Sequence, residues 1–158
     1  KTFQLMTQVS GRAGRHNKLG EVYIQTYTPE HYAIQLSKDQ HYTPFYEREM
    51  HARHIAGYPP YYYIALIQVS HEDVMFAAEY AGRVAEYLRS NLSFNVSVIG
   101  PTTASIARLQ NRYRYQCLIK YKIEPNLISV LLQLIKLYRS EWIKKGIVLT
   151  VDLDPTMI

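Results

Sequence analysis

The spacing of apolar residues changes repeatedly along the second half of the chain, and each change predicts an element. Residues 61–69 form a β-rich run without helix signals. Ser70-His71-Glu72-Asp73 then offers a helix cap. Beyond it, Val74, Ala77, Ala78, Ala81, Val84, Ala85 and Leu88 recur at the spacing of one helix face until Ser90-Asn91. Residues 94–99 predict a short strand stopped by Gly100-Pro101. Residues 112–122 alternate throughout, with Tyr113, Tyr115, Cys117, Ile119 and Tyr121 on one side and Arg112, Arg114, Gln116, Leu118, Lys120 and Lys122 on the other. Pro125-Asn126 opens a second helix through Leu127, Ile128, Leu131, Leu134, Ile135, Tyr138 and Trp142. Lys144-Lys145-Gly146 closes that helix with positive charge and a glycine at its carboxyl end. A last run, residues 147–153, alternates with Ile147, Leu149, Val151 and Leu153 inward.

The order β-α-β-β-α-β predicts an α+β domain of the split β-α-β, ferredoxin-like kind: a four-stranded antiparallel sheet with both helices on one face and the other face open. In that topology the third strand is central. Arg112, Arg114, Gln116, Lys120 and Lys122 are then expected to project from the middle of the open face.

Upstream, residues 3–9 suit a short helix that runs into the glycine-bearing stretch Gly11-Arg12-Ala13-Gly14-Arg15. Residues 21–27 alternate as a strand stopped by Thr28-Pro29, and a strand implies a sheet whose other members lie elsewhere. Residues 30–56 carry two helical patterns that end at Gly57-Tyr58-Pro59-Pro60, where proline lacks the amide hydrogen a helix needs. The predicted organisation is therefore the edge of another domain over 1–28, a helical connector over 29–60 and the split β-α-β domain over 61–158. The chain opens on Lys1, directly before a helical pattern, and is expected to continue a longer polypeptide.

Composition narrows the partners. A hydrophobic share of 47% over 158 residues closes one core, and 18 Lys and Arg against 13 Asp and Glu give a net charge of +5. That modest basic excess suits a polyanion. With a single cysteine, Cys117, no disulfide can form within the chain. No apolar run reaches membrane-spanning length and residues 1–11 lack a signal-peptide pattern, so no membrane partner and a cytoplasmic place are expected. Glu47, His51 and His54 share a helix face, but read as solvated side chains rather than metal ligands, and no metal site is assigned. Asp152 and Asp154, just before Pro155, suit a strand-end turn or a contact to the basic strand.

Gln8-Val9-Ser10-Gly11-Arg12-Ala13-Gly14-Arg15 is similar to the Q-x-x-G-R-x-G-R motif that closes the second RecA-like lobe of superfamily 2 helicases. Glycines let backbone approach a nucleotide held by the opposite lobe, and a fixed guanidinium neutralises charge developing on its γ-phosphate. The resemblance implies Arg15 as the arginine finger with Arg12 beside it, and Gln8, Gly11 and Gly14 as nucleotide-proximal positions. No G-x-x-x-x-G-K-S/T occurs in the chain, which predicts that the segment alone does not hydrolyse ATP.

Further positions narrow the family. Glu47-Arg48-Glu49, Arg53, Gly57-Tyr58-Pro59-Pro60, Gly100-Pro101, Ile106-Ala107-Arg108, Arg112-Tyr113-Arg114-Tyr115-Gln116 and Val151-Asp152-Leu153-Asp154-Pro155 together resemble the primosomal protein N′ (PriA) family of replication-restart helicases. The resemblance implies a 3′ to 5′ ATP-dependent DNA helicase that recognises stalled forks and assembles the primosome. It further implies ATP and Mg2+ as cofactors, zinc held outside this segment, and forked or single-stranded DNA, the single-stranded-DNA-binding protein tail and primosome proteins as partners. Arg108, Arg112, Arg114, Gln116, Lys120 and Lys122 are the nucleic-acid-binding candidates, since phosphates need such charges. The alternative reading is a free-standing ferredoxin-like nucleic-acid-binding module without ATPase activity, discriminated by the coding sequence upstream of Lys1.

Overall fold

A computed structural model describes residues 2–13 and 20–156, which divide into two compact units, Lys1–Ala56 and Gly57–Ile158.

The first unit is helical: α1 (Thr2–Ser10), α2 (Tyr32–Lys38) and α3 (Tyr42–Ala56). Its small core is largely aromatic. Phe3 is buried and stacks on Phe45 with centroids 4.2 Å apart, while Ala33 and Ile34 are buried on α2. Polar contacts join α2 to α3. The Tyr32 hydroxyl donates to Glu49, Arg53 Nε lies 2.6 Å from the same carboxylate, and the Arg48 guanidinium sits 4.9 Å from the Tyr32 ring centroid. The Tyr32 hydrogen bond holds the Glu49 carboxyl below its ordinary range.

Residues 21–27, predicted as a strand, are neither strand nor helix, and Tyr23 and Tyr27 are fully exposed. The alternating pattern is present, but a strand exists only as one side of a backbone ladder. No described residue pairs with this run in a sheet.

The second unit realises the predicted order. Strands β1 (Tyr63–His71), β2 (Ser97–Leu109), β3 (Arg112–Tyr121) and β4 (Val148–Leu153) form one antiparallel sheet in the spatial order β2-β3-β1-β4. Helices α4 (Val74–Asn91) and α5 (Leu127–Leu137) pack on one face. Alternation decides that face. Ala65, Ile67 and Val69 of β1, Cys117 and Ile119 of β3 and Leu149 of β4 join one core with Ala77, Tyr80, Ala81, Val84, Ala85 and Leu88 of α4 and with Leu127, Val130, Leu131 and Leu134 of α5. Three alanines at positions 77, 81 and 85 give α4 a smooth stripe that lies close to the strands. Burial pushes the Cys117 thiol up to about 11, so it packs as an apolar group.

Helix α4 starts where Asp73 Oδ1 accepts the amides of Met75 (2.7 Å) and Phe76 (3.2 Å), as the cap signal predicts. The second helical pattern is not one continuous α-helix. It loosens and then tightens: α5 ends at Leu137, Tyr138–Trp142 form a π turn, Ile143–Lys145 a 3-10 turn, and Gly146 stops the run at φ 74°. The π turn carries Trp142 into the core, edge-on to Tyr80 at 5.1 Å.

Strand β2 departs from the prediction. It begins at Ser97 and passes through Gly100-Pro101 to Leu109, with register shifts against β3 between Ile99 and Thr102 and between Thr103 and Arg108. Gly100 sits at φ 110°, and a Cβ there would lie 2.7 Å from the Gln116 carbonyl. Only glycine suits that bend. Pro101 is tolerated because β2 is an edge strand, and Arg89 of α4 donates to the carbonyls of Val98 and Gly100 beside the bend.

A buried acid closes the loops at the far end. Glu124 is 8% exposed, and its carboxylate accepts the amides of Ser93 (3.1 Å) and Asn126 (3.1 Å), tying the end of α4 to the start of α5. The hydrogen bonds from Ser93 hold this carboxyl below its ordinary range. A carboxylate whose folded-state pKa is lowered stabilises the fold above its unfolded pKa, and that contribution disappears as the pH falls through the folded value. Glu124→Gln is therefore expected to lower the urea midpoint at neutral pH, with the gap to the parent closing as the pH drops below about 4.

Candidate nucleic-acid interface

On β1, β3 and β4 the residues between the core positions face away from the helices. The register sets them in rows: Thr102, Gln116, Gln68 and Thr150 lie abreast across β2, β3, β1 and β4, and Arg114, Ser70 and Val148 form the next row. A groove of about 370 Å³ opens there, lined by Gln68, Ser70, Leu109, Gln110, Arg112, Arg114, Val148 and Thr150.

The two arginines in the groove do different work. Arg112 is an anchor: its guanidinium donates to the Ser70 carbonyl (3.0 Å), the Ser70 hydroxyl (3.3 Å) and the Gly146 carbonyl, and lies 3.7 Å from Glu72. It therefore fastens the turn before β4 to the end of β1. Arg114 donates one hydrogen bond, 2.8 Å to Gln68 Oε1, and Gln68 Nε2 approaches Gln116 Oε1 at 3.4 Å. A guanidinium has five N–H donors, so Arg114 keeps several for a ligand.

The other basic candidates are not continuous with these. Leu118 is buried on the same face with Ile64 and Leu66, and Tyr58 packs over them. The open face is thus plugged at that end, which the strand pattern alone did not foretell. Lys120 Nζ sits 3.9 Å from the Tyr58 ring centroid and Lys122 Nζ 4.9 Å from that of Tyr62, so both ammonium groups rest on rings. Arg108 pairs in register with Tyr113, and its guanidinium lies over that ring at 4.9 Å while donating to Asn111. Tyr113 belongs to the helix-side set of β3, so Arg108 is on the opposite face from Arg112 and Arg114. The expected single track is three separate groups, because the bulged edge strand turns Arg108 away and Leu118 interrupts the charges. Asp152 shares the open face, opposite Leu66, whereas Asp154 turns at φ 58° and donates its amide to the Ile64 carbonyl.

Gln68, Ser70, Gln110 and Thr150 were not among the sequence candidates. Their signal was present, since Gln68 and Ser70 alternate with the core residues Ile67 and Val69. Only the register shows that they stand beside Arg114.

In the amino-terminal motif, Gln8, Gly11 and Arg12 are exposed at the carboxyl end of α1, where Gly11 donates to the Thr7 carbonyl and Arg12 to that of Val9. No described carboxylate pairs with Arg12. Gly14 and Arg15 lie outside the described residues. His51 and His54 are exposed on α3, and no three His, Cys, Asp or Glu side chains among the described residues are grouped to hold a metal. No described helix is long and apolar enough to cross a membrane.

A four-stranded antiparallel sheet of this order, with two helices on one face and a polar, arginine-bearing groove on the other, is a ferredoxin-like α+β domain. Residues 54–156 match the primosomal protein N C-terminal domain, and the chain belongs to that family. It is 50% identical over 158 residues to the replication restart protein PriA of Bacillus subtilis, covering 100% of this chain and 20% of the relative. Against the replication restart protein PriA of Synechocystis it is 37% identical over 156 residues, 99% of this chain and 18% of the relative. Against that of Haemophilus influenzae it is 32% identical, covering 96% and 20%. The chain thus spans about a fifth of the length of the curated relatives it matches.

The two arginines should separate in stability measurements. Arg112→Ala removes bonds to two carbonyls and is expected to cost about 1–3 kcal/mol. Arg114→Ala, with one side-chain partner, is expected to stay within about 0.5 kcal/mol of the parent. Urea denaturation of both variants checks this, and equal losses would contradict the division of labour.

Proposed function

We propose that this chain is the DNA-gripping C-terminal part of an ATP-driven replication-restart helicase. The observation that carries the reading is the groove at the hairpin end of the uncovered sheet face. There Arg114 presents unspent N–H groups and is held by Gln68, which in turn donates to Gln116. Family membership supports the same reading, as does the name replication restart protein carried by the relatives.

In this proposal the groove holds DNA at a stalled fork while the motor translocates 3′ to 5′. The amino-terminal segment contributes Arg15, with Arg12, Gln8, Gly11 and Gly14, to an ATP and Mg2+ site whose phosphate-binding loop belongs to another part of the polypeptide. Exposure of Gln8 and Arg12 is compatible with that role, because a residue meant for a neighbouring lobe's nucleotide must not be consumed locally. Zinc belongs to other segments in this scheme. The single-stranded-DNA-binding protein tail and primosome proteins are the proposed protein partners.

Two measurements on the 158-residue chain test the reading. Arg114→Ala is expected to weaken DNA binding in fluorescence anisotropy and to reduce the slope of log affinity against log salt by about 0.9 for each phosphate that the arginine neutralises. An unchanged affinity and slope would place the arginine against protein instead. The same chain is expected to release no phosphate from ATP, and turnover would show that it holds a complete nucleotide site.

A further inference from the structure

The shape of this sheet invites comparison with the ferredoxin-like modules that read single-stranded RNA, in which aromatic side chains on the uncovered sheet face stack bases. Such rings supply most of what makes unpaired bases worth binding, since each base stacked on one contributes strongly and an arginine plane is the lesser alternative. Among the described residues, the strand positions of the uncovered face here have none. On the central strands those positions are Ile64, Leu66, Gln68 and Ser70 of β1 and Arg112, Arg114, Gln116, Leu118 and Lys120 of β3. The edge strands add Ser97, Ile99, Thr102 and Leu109 on β2 and Val148, Thr150 and Asp152 on β4.

The chain is not short of rings. It has 15 tyrosines, and three of them, Tyr113, Tyr115 and Tyr121, lie on β3 itself. All three occupy the alternate positions, with Tyr115 and Tyr121 packed against the core on the helix side. Two rings at the other end of the face are already engaged: Tyr58 lies against Ile64, Leu66 and Leu118 under the Lys120 ammonium, and Tyr62 carries Lys122. What the open end offers instead is guanidinium, amide and hydroxyl groups in rows. These meet phosphate and sugar oxygens and the edges of bases, and leave a base stack undisturbed.

From this we infer that the groove around Arg114, Gln68 and Gln116 is a seat for base-paired DNA and discriminates against unpaired strands. Splaying bases onto this face would cost their stacking without replacing it. A duplex brings its phosphates already in a fixed double row. The inference rests on the DNA-binding reading above and specifies which form of DNA the site takes.

The test compares a 5′-labelled duplex of about 20 base pairs with the single strand of the same sequence at matched ionic strength, a length that exceeds the roughly 4–16 nucleotides a single-strand site occupies. The parent chain is expected to bind the duplex at least about tenfold more tightly. Arg114→Ala is expected to weaken the duplex several-fold while moving single-strand affinity little. Gln68→Tyr, which installs a ring on the uncovered face of β1, is expected to raise single-strand affinity about five- to tenfold, the low end of what one stacked base contributes. Circular dichroism and urea midpoints confirm that both variants fold. Equal or tighter binding of the single strand by the parent overturns the duplex preference while leaving DNA binding in place, as does an equal loss for both DNAs in Arg114→Ala. Failure of the folded parent to bind either DNA overturns the DNA-binding reading itself.

Discussion

Everything on the uncovered sheet face depends on the two-residue alternation of β3. Cys117 and Ile119 are buried against α4 and α5, and because successive side chains on a strand point to opposite faces, that burial forces Arg114, Gln116 and Leu118 outward on the other side. A slip of one residue would bury guanidinium groups and expose the core, so hydrophobic burial and placement of charge are one constraint. The neighbouring strand obeys the same rule. Ile67 and Val69 inward place Gln68 and Ser70 outward, and the antiparallel register brings them opposite Gln116 and Arg114.

The two ends of the uncovered face have different characters for physical reasons. At the end near Tyr58, apolar Ile64, Leu66 and Leu118 would be wet if left bare, and a tyrosine covers them while lysines rest on the rings. At the hairpin end the outward residues are polar and need no cover. Arg112 keeps that end in shape by holding the carbonyls of Ser70 and Gly146, so one of the candidate DNA-binding guanidinium groups is largely occupied with the fold. Arg114, two residues on, is the one left with capacity for a ligand.

The helical unit combines a small aromatic core, in which Phe3 stacks on Phe45, with a polar cluster on one carboxylate. Glu49 receives Tyr32 and Arg53, and Arg48 lies on the Tyr32 ring. No residue of α3 is fully buried, and Arg48 and Glu49 are placed by Tyr32 of α2 across from them and by Arg53 one turn on. The exposed run at 21–27 alternates like a strand without becoming one, because no described residue offers it a ladder.

Element types were legible wherever one periodicity persisted: β3 by strict alternation, α4 by its alanine stripe and aspartate cap, β4 by its inward aliphatics. From them the ferredoxin-like order followed, because few topologies accommodate β-α-β-β-α-β. Local pattern could not show that β2 bends through Gly100-Pro101, that the second helix unwinds through a π turn to bury Trp142, or that residues 21–27 have no ladder among the described residues. Each of these depends on contacts with residues distant in the chain. The candidate site divides in the same way. The amino-acid order determined which residues of β3 share a face. Only the tertiary structure decided that Arg108 lies on the other side, that Leu118 and Tyr58 interrupt the charges, and that Gln68 stands beside Arg114. A side chain's face is set by its own strand, but its neighbours are set by strands that the chain reaches only after long detours.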